Sequence, residues 1–239
     1  MFSKNFYFRL KYQLKKSATF DTLFQYFLDR IKHPFNKIEK KRFKENHKNY
    51  LITKKTTTDY FSLNAYYWDL IINKNFKEFS YLEIGSWEGN SALYILKNFK
   101  TKNVVCVDIW DLYKDQYQQE HQERFNNFKS NLEEFKERYS FEKNTSDEFF
   151  KNNTKIFDII YIDGFHEAPQ VYKDICNSWH CLNKNGIIIC DDYFYGNLKD
   201  NKDNNLPANS INKFILENKK KLKIMNVNNT QIFLKKLSN

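Results

Sequence analysis

Four short runs of apolar and β-branched residues recur through this 239-residue chain. They are YLEI (81–84), NVVCVDI (103–109), FDIIYID (157–163) and GIIICDD (186–192). Segments with helical periodicity lie between and after them, near residues 90–99, 118–138, 167–181 and 207–220. Continuous apolar strands separated by helices indicate a parallel sheet that is covered on both faces. The pattern therefore predicts an α/β fold built on a doubly wound, mostly parallel sheet, and the C-terminal KLKIMNV and QIFLKKL predict a closing hairpin.

The net charge divides the chain into two parts. Residues 1–55 contain 15 Lys and Arg against 4 Asp and Glu, whereas the other 184 residues contain 24 against 25. Apolar residues also recur at helical spacing in this segment, at Phe2, Phe6, Leu10 and Leu14 and again in the stripe Phe20, Leu23, Phe24, Phe27, Leu28 and Ile31. We therefore predict a basic, amphipathic helical extension over residues 1–55, followed by one α/β domain over residues 56–239.

Composition excludes several classes of protein. Hydrophobic residues make up 41% of the chain, which argues against disorder, and no run of about 18 apolar residues suggests a membrane span. No apolar segment with a cleavage site follows the basic start, so a secretory signal is not expected. The four cysteines form no CxxC pair, and three of them lie in or beside apolar runs. Buried thiols of this kind indicate a reducing, cytoplasmic location.

Two of the five glycines lie four residues apart, directly after the first apolar run. Gly85 allows a tight turn and a close ligand, and Gly89 opens a helix whose free N–H groups favour a polar ligand. The spacing is E-x-G-x-x-x-G, which differs from the dinucleotide-binding GxGxxG. The carboxylate of Glu83 suits a cationic amino group, and Asp108 after the next strand suits a ribose diol. S-adenosylmethionine (SAM) carries both groups; alternatively, the glycines only shape a strand–helix turn.

The sequence also resembles a known family. The stretches LEIGSWEGNSALYIL, CVDIWD, FDIIYIDGFHEAPQVYKDICNSWHCLNKNGIIICDDY and LPANSINKFI resemble class I SAM-dependent methyltransferases, in particular methyltransferase family 24, over about residues 58–236. The resemblance implies a Rossmann-like methyltransferase fold. It also implies cofactor contacts at Glu83, Gly85, Ser86, Gly89, Ser91, Asp108 and Ser146, to which we add Asp163. The chain departs from the family at Asn185, where a second glycine is usual; Asn tolerates the left-handed conformation that such a turn needs.

Three carboxylates follow the last two apolar runs. Asp163 ends one strand, and Asp191 and Asp192 end the next, so we expect them to gather at one edge of the sheet. Close carboxylates repel one another unless a cation joins them, and Mg²⁺ prefers such oxygen ligands. The sequence therefore predicts a divalent metal site at Asp163, Asp191 and Asp192. The alternative is that these residues cap helices or are solvated strand ends.

His166 follows Asp163 by three residues and is the candidate base. An unperturbed pKa near 6.5 suits proton removal at neutral pH. Some sugar O-methyltransferases that the sequence resembles use an aspartate-bound metal with a histidine in this position as base, which assigns catalytic roles to His166 and Asp163. The alternative is that His166 caps a helix or orients a carboxylate.

Two further features have two interpretations each. The polar segment 196–207 is either a lid over the substrate or a connection to the next helix. Trp87 and Trp110 either cover the adenosine of the cofactor or are packing residues.

We therefore predict a SAM-dependent O-methyltransferase that acts on a small-molecule or sugar or glycan hydroxyl. The basic N-terminus keeps two alternatives open. One is an RNA-modifying or nucleic-acid-binding protein, which the acidic residues of the predicted site disfavour because they repel phosphates. The other is a membrane-surface adaptor that contacts lipid through residues 1–50. The identity of the acceptor and the formation of a homo-oligomer are left open by the sequence.

Overall fold

The computed structural model describes residues 4–110, 117–195 and 205–238. The helices are α1 (Lys4–Lys15), α2 (Phe20–Lys32), α3 (Lys37–Leu51), α4 (Ala65–Asn75), α5 (Asn90–Asn98), α6 (Gln118–Leu132), α7 (Ser146–Asn152), α8 (Ala168–His180) and α9 (Pro207–Asn218). The strands are β1 (Phe79–Ile84), β2 (Thr101–Asp108), β3 (Tyr139–Lys143), β4 (Phe157–Ile162), β5 (Leu182–Cys190), β6 (Leu222–Val227) and β7 (Ile232–Lys236). None of the helices in the described ranges is long and apolar enough to cross a bilayer.

The seven strands form one sheet in the order β3-β2-β1-β4-β5-β7-β6. Strand β1 pairs in parallel with β2, and β2 pairs in parallel with β3, whereas β7 runs antiparallel to both β5 and β6. The four apolar runs of the sequence correspond to β1, β2, β4 and β5. The prediction of a doubly wound, mostly parallel α/β sheet is confirmed.

Asparagines shape the turn of the C-terminal hairpin and a left-handed position within β5. The predicted hairpin is formed by β6 and β7, and the Asn228 side chain closes its turn by accepting from the backbone N–H of Thr230 at 2.8 Å and of Gln231 at 2.7 Å. Asn185 adopts the left-handed conformation with φ 67°, as predicted for this position. A Cβ on Gly186 would lie 2.8 Å from two backbone oxygens, so only glycine fits there.

Backbone contacts divide the chain into two compact units. One contains residues 34–157, and the other contains residues 1–33 together with 158–239. The first includes helices α3 to α7 and strands β1 to β3; the second includes α1, α2, α8, α9 and strands β5 to β7. The basic N-terminal segment is therefore divided after His33, and the domain boundary predicted after residue 55 stays a prediction.

Helices α1 and α2 belong to the unit that contains β5, and they pack on the segment that follows this strand. The ring of Phe194 lies 5.8 Å from that of Tyr12 in α1 and 5.4 Å from that of Tyr26 in α2. The side-chain amide of Asn212 in α9 donates to the carbonyl of Lys16 at 2.8 Å. The start of the chain is thus integrated into the core of this unit.

Helix α3 is fixed to the other unit by a buried histidine. His47 is 3% exposed and lies edge-on to the rings of Phe61 and Tyr94, at centroid distances of 5.3 and 5.2 Å. Its Nε2 atom has no hydrogen-bond partner among the described residues. Burial lowers the pKa of His47 to about 4, because charging the imidazole in this apolar setting is costly.

This depressed pKa predicts acid sensitivity. The unfolded chain binds a proton at His47 near pH 6.5 and the folded protein only near pH 4, so stability decreases as the pH falls through this window. The decrease attributable to His47 is at most about 3 kcal/mol. We expect His47→Phe to lose less free energy of unfolding between pH 7 and pH 4.5 than the unmodified protein, as measured by urea denaturation.

The matched control is His180→Gln, because His180 is an exposed histidine on α8. Its dependence of unfolding on pH should follow that of the unmodified protein. Equal acid losses in His47→Phe and the unmodified protein would show that His47 is not the responsible group.

Candidate active site

The turn after β1 is built from left-handed residues. Gly85, Trp87 and Gly89 have φ angles of 88°, 49° and 83°. The N–H of Gly85 donates to the carbonyl of Val107 at 2.8 Å, so the turn begins while the chain is still paired with β2. Gly85 therefore has the conformational role that the sequence predicts, since positive φ is costly for residues with a Cβ.

Gly89 has a second reason to be glycine, which the sequence analysis missed. A Cβ at this position would lie 2.3 Å from Cδ1 of Leu132 and 3.1 Å from Cδ2 of Phe128. Leu132 ends α6 and Phe128 lies one turn before it, and both are fully buried. The close packing of α6 against the start of α5 thus requires a residue without a side chain.

Glu83 is a fully buried carboxylate with hydrogen bonds to both oxygens. The hydroxyl of Tyr81 donates to Oε2 and that of Ser91 donates to Oε1, each at 2.7 Å. Burial raises the pKa of Glu83 to about 7. These bonds tie the first turn of α5 to β1. The predicted contact of Glu83 with a cationic amino group stays a prediction, and it would have to use a lone pair that the two hydroxyls leave open.

Asp108 holds the turn to the end of β2. Its Oδ2 accepts from the backbone N–H of Trp87 at 2.8 Å, and its Oδ1 accepts from that of Trp110 at 2.9 Å. The indole N–H of Trp110 in turn donates to the carbonyl of Trp87 at 2.7 Å. Burial raises the pKa of Asp108. Each carboxylate oxygen can accept more than one hydrogen bond, so acceptor capacity remains for a ribose diol.

The two tryptophans of this region differ in environment. Trp110 is buried against Phe125 and Phe128, at centroid distances of 5.1 and 4.6 Å, and is therefore a packing residue. Trp87 is 39% exposed, and the guanidinium carbon of Arg124 lies 4.0 Å from the centroid of its ring. No motif in the sequence connects Arg124 to the turn, because the two residues meet only through the packing of α6.

Three further predicted cofactor residues, Ser86, Ser91 and Ser146, have defined positions in the same unit, whereas Asp163, which is also predicted to contact the cofactor, lies in the other unit. Ser86 and Ser91 are buried in the turn and in the first turn of α5. Ser146 is the half-buried first residue of α7, where Thr145 caps the helix by accepting from the N–H of Glu148 at 3.2 Å. The contact of Ser146 with an adenine stays a prediction.

A cluster of ionisable side chains lies in the other compact unit. Asp163 follows β4, Asp192 follows β5, and His166 lies between β4 and α8. One ligand atom from each of the three lies within 4.8 Å of the other two, and all three residues are partly exposed. His166 Nε2 is 2.8 Å from Oδ2 of Asp192. This hydrogen bond raises the pKa of His166 above its usual value.

Asp191 has different partners from Asp192. Its Oδ2 accepts from the side-chain amide of Gln231 at 2.9 Å and contacts the hydroxyl of Tyr161, and its Oδ1 accepts from the N–H of Asp192 at 2.7 Å. Burial, followed by the charge of Asp192, raises the pKa of Asp191 to about 6. Asp192 has a positive φ of 53°. The described cluster thus contains His166 where the sequence predicts Asp191.

Tyr161 joins the two aspartates that follow the strands. Its hydroxyl lies 2.8 Å from Oδ2 of Asp163 and also contacts Oδ2 of Asp191. One hydroxyl has one proton, so both contacts are hydrogen bonds only when a carboxyl is protonated. Burial raises the pKa of Asp191 to about 6, so this carboxyl takes up such a proton in mildly acidic solution. Strand alternation places Tyr161 and Asp163 on the same face, a signal that the sequence analysis did not use.

The segment after Asp192 completes the surroundings of His166. The ring of Tyr195 lies 4.8 Å from that of His166, and its backbone N–H donates to the carbonyl of Asp192 at 2.8 Å. Most of the predicted lid, residues 196–204, lies outside the described residues. Beyond it, the side chain of Asn205 accepts from the N–H of Ala168 at 3.0 Å and so anchors the returning chain to the start of α8.

Comparisons with known proteins can now be added to this geometry. Residues 82–193 match the model of a methyltransferase domain family. An uncharacterised protein of Acanthamoeba polyphaga mimivirus is 30% identical over 117 residues, which are 48% of this chain and 52% of that protein. The chain therefore spans about half the length of this curated relative.

Solved structures show the same fold. A candidate O-methyltransferase from Klebsiella pneumoniae has a TM-score of 0.57 at 13% identity, over 91% of this chain and 99% of that one. The O-methyltransferase from Bacillus cereus in complex with SAH has a TM-score of 0.54 at 13% identity, over 90% and 98%. The resemblance predicted from the sequence is thereby confirmed: residues 82–193 are similar to a methyltransferase domain family, and the fold of the chain is similar to that of solved O-methyltransferases.

Proposed function

We propose that this protein is an O-methyltransferase that acts on the hydroxyl of a small molecule or of a sugar or glycan. The observation that carries the proposal is the pairing of His166 with Asp192 beside Asp163. An imidazole held by a carboxylate can receive the proton that a hydroxyl loses when it is methylated. The similarity in fold to the O-methyltransferases from Klebsiella pneumoniae and Bacillus cereus supports an oxygen acceptor.

The cofactor end of the reaction is assigned to the turn after β1. The carboxylate of Asp108 would bind the ribose hydroxyls of SAM with the acceptor capacity that Trp87 and Trp110 leave open. Ser86, Ser91 and Ser146 are the further cofactor residues of the proposal. Glu83 stabilises the turn, because its hydrogen bonds to Tyr81 and Ser91 fix the start of α5 relative to β1.

The acceptor end is assigned to the cluster. The acceptor oxygen would attack the methyl carbon of SAM while the bond from that carbon to sulfur breaks, which releases the demethylated cofactor. Because Nε2 of His166 is the nitrogen that pairs with Asp192, the proton of the hydroxyl would pass to Nδ1. Asp192 orients the imidazole and stabilises the imidazolium through the hydrogen bond of 2.8 Å. The raised pKa of His166 favours the imidazolium that this step forms. It also means that the reaction needs a pH high enough for the neutral imidazole, which is the base, to be populated.

The cluster also fits a divalent cation. Asp163 and Asp192 offer carboxylate oxygens and His166 offers a nitrogen, close enough together to share one ion. We propose Asp163 and Asp192 as ligands, with Asp191 a less direct contributor because Tyr161 and Gln231 already hold it. A cation bound there would lower the pKa of an acceptor hydroxyl and relieve the repulsion between the carboxylates.

The first prediction for this function concerns Asp108. Asp108→Ala removes the acceptor for two backbone N–H groups and for the ribose, so SAM affinity should fall by roughly 10- to 150-fold, the equivalent of about 1.5–3 kcal/mol. Isothermal titration with SAM and with SAH measures the loss. Asp69→Ala, on helix α4 of the same unit, is the control and should bind as the unmodified protein does. Unchanged binding by a folded Asp108→Ala protein would contradict the assignment.

The second prediction separates two neighbouring aspartates. Because Asp192 belongs to the cluster and Asp191 is held by Tyr161 and Gln231, Asp192→Asn should weaken Mn²⁺ binding more than Asp191→Asn. Paramagnetic resonance of free Mn²⁺ in titrations of the two variants measures the difference. SAM affinity should be nearly unchanged in both. A larger loss in Asp191→Asn would restore the ligand set predicted from the sequence, and absence of any Mn²⁺ binding by the unmodified protein would end the metal proposal.

The third prediction distinguishes a base from a metal ligand at His166. As a base, His166→Ala should lower turnover by roughly 10²- to 10⁴-fold while Mn²⁺ affinity and SAM affinity persist. Release of SAH in the presence of a panel of sugar and phenolic acceptors gives turnover, measured with EDTA and after Mg²⁺ is restored. His180→Ala is the control histidine on α8. Loss of Mn²⁺ affinity in His166→Ala would make the residue a ligand, and full turnover would remove it from the chemistry.

A further inference from the structure

Helix α2 buries its polar side and exposes its apolar side. The buried residues are Thr22, Tyr26 and Asp29. The opposite side presents a stripe of large apolar side chains at spacings of four, three and four residues, namely Phe20, Phe24, Phe27 and Ile31. Phe20 is 78% exposed and Phe24 is 44% exposed, and their rings stack at 6.1 Å. The usual orientation of a surface helix is the reverse of this one.

The residues on the buried side of α2 have hydrogen-bond, ion-pair and ring partners of their own. The hydroxyl of Thr22 is hydrogen-bonded to that of Thr19, the helix cap, at 2.8 Å. Asp29 pairs with the guanidinium of Arg30. The ring of Tyr26 is stacked on that of Phe6 at 5.8 Å. The buried side of α2 therefore has its own partners, and within the stripe the ring of Phe27 also lies 6.4 Å from that of the buried Phe6.

Helix α1 adds positive charge beside further apolar groups. Its exposed residues include Tyr7 and Leu14, and Lys4, Lys11 and Lys15 lie on the same side at helical spacing. Residues 1–33 contain seven Lys and Arg against two Asp. We call these exposed residues of α1 together with the stripe of α2 and Lys32 the basic aromatic face.

We propose that the basic aromatic face binds the surface of an anionic lipid bilayer. Large apolar side chains flanked by lysines describe a helix that lies in the interface of a bilayer, with its apolar side in the acyl boundary and its lysines at the headgroups. A second copy of the chain would bring the same excess of lysines to the contact, and like charges would oppose it. Anionic headgroups carry the opposite charge and remove this conflict.

The face is mechanically connected to the candidate catalytic cluster within the same unit. Tyr12 of α1 and Tyr26 of α2 pack on Phe194, and the hydroxyl of Tyr12 donates to the carbonyl of Tyr195 at 3.3 Å. The ring of Tyr195 lies 4.8 Å from that of His166. The lipid-binding helices thus support the segment that lines the cluster.

Vesicle flotation of the full chain tests the proposal. The unmodified protein should float with vesicles of phosphatidylcholine and phosphatidylserine, and bind vesicles of phosphatidylcholine alone much more weakly. Lys11→Gln combined with Lys15→Gln should lower partition by roughly fivefold per lysine. Phe20→Ser combined with Phe24→Ser should abolish flotation. Leu216→Ser, an exposed leucine on α9 of the same unit, is the matched control and should float normally.

The thermal midpoint of unfolding and the SAM affinity of each variant are measured as controls. If both are unchanged, a loss of flotation is due to the altered surface and not to unfolding. Failure of the unmodified protein to float with anionic vesicles overturns the proposal, and so does equal flotation of the Phe20 and Phe24 variant. A dimer in sedimentation that becomes a monomer in this variant, without vesicle binding by either protein, would assign the face to a second copy instead.

Discussion

The buried Glu83 carboxylate constrains the whole cofactor turn. A carboxylate removed from water is costly unless hydrogen bonds compensate it, and here the hydroxyls of Tyr81 and Ser91 do so. Ser91 lies in the first turn of α5, so the helix must begin where its hydroxyl reaches the strand. This position brings Gly89 against Leu132 of α6, where a Cβ would clash. The positions of α5, α6 and the turn are thus fixed by the requirement to satisfy one buried acid.

The carboxylates at the ends of β4 and β5 also need hydrogen-bond partners, and they obtain them in a different way. Asp163 and Asp191 share the single hydroxyl of Tyr161, whereas Asp192, whose backbone is left-handed, pairs with His166. Two adjacent residues thereby acquire different environments. Asp191 is held by Tyr161 and Gln231 and has a raised pKa, whereas Asp192 pairs with the imidazole of His166. Such divergence between neighbouring acids allows one to provide structure while the other provides chemistry.

The sequence predicted the elements that bury continuous apolar runs and the turns that need glycine or asparagine. It missed β3, because this edge strand has no fully buried residue and so no apolar run. It also missed Arg124, Tyr161 and Tyr195. Arg124 and Tyr195 reach Trp87 and His166 only through packing and chain reversal, so no local pattern could connect them. The choice between Asp191 and Asp192 depends on partners distant in the sequence, Tyr161 and Gln231 for the one and His166 for the other, which composition and spacing do not encode.

Helix α2 shows why an apolar stripe does not by itself identify a buried face. The periodicity of Phe20, Phe24, Phe27 and Ile31 predicts an amphipathic helix, and the helix is amphipathic, but its orientation is set by its polar side. Thr22 is hydrogen-bonded to the helix cap Thr19 and Asp29 pairs with the adjacent Arg30, while Tyr26 lies between Phe6 and Phe194. If α2 were rotated so that the stripe faced inward, these contacts would be lost, and the lysines of α1 would lie beside the polar side of α2. The face that a helix buries is decided by which side finds complementary partners, and an apolar side left outside then requires an apolar environment of its own.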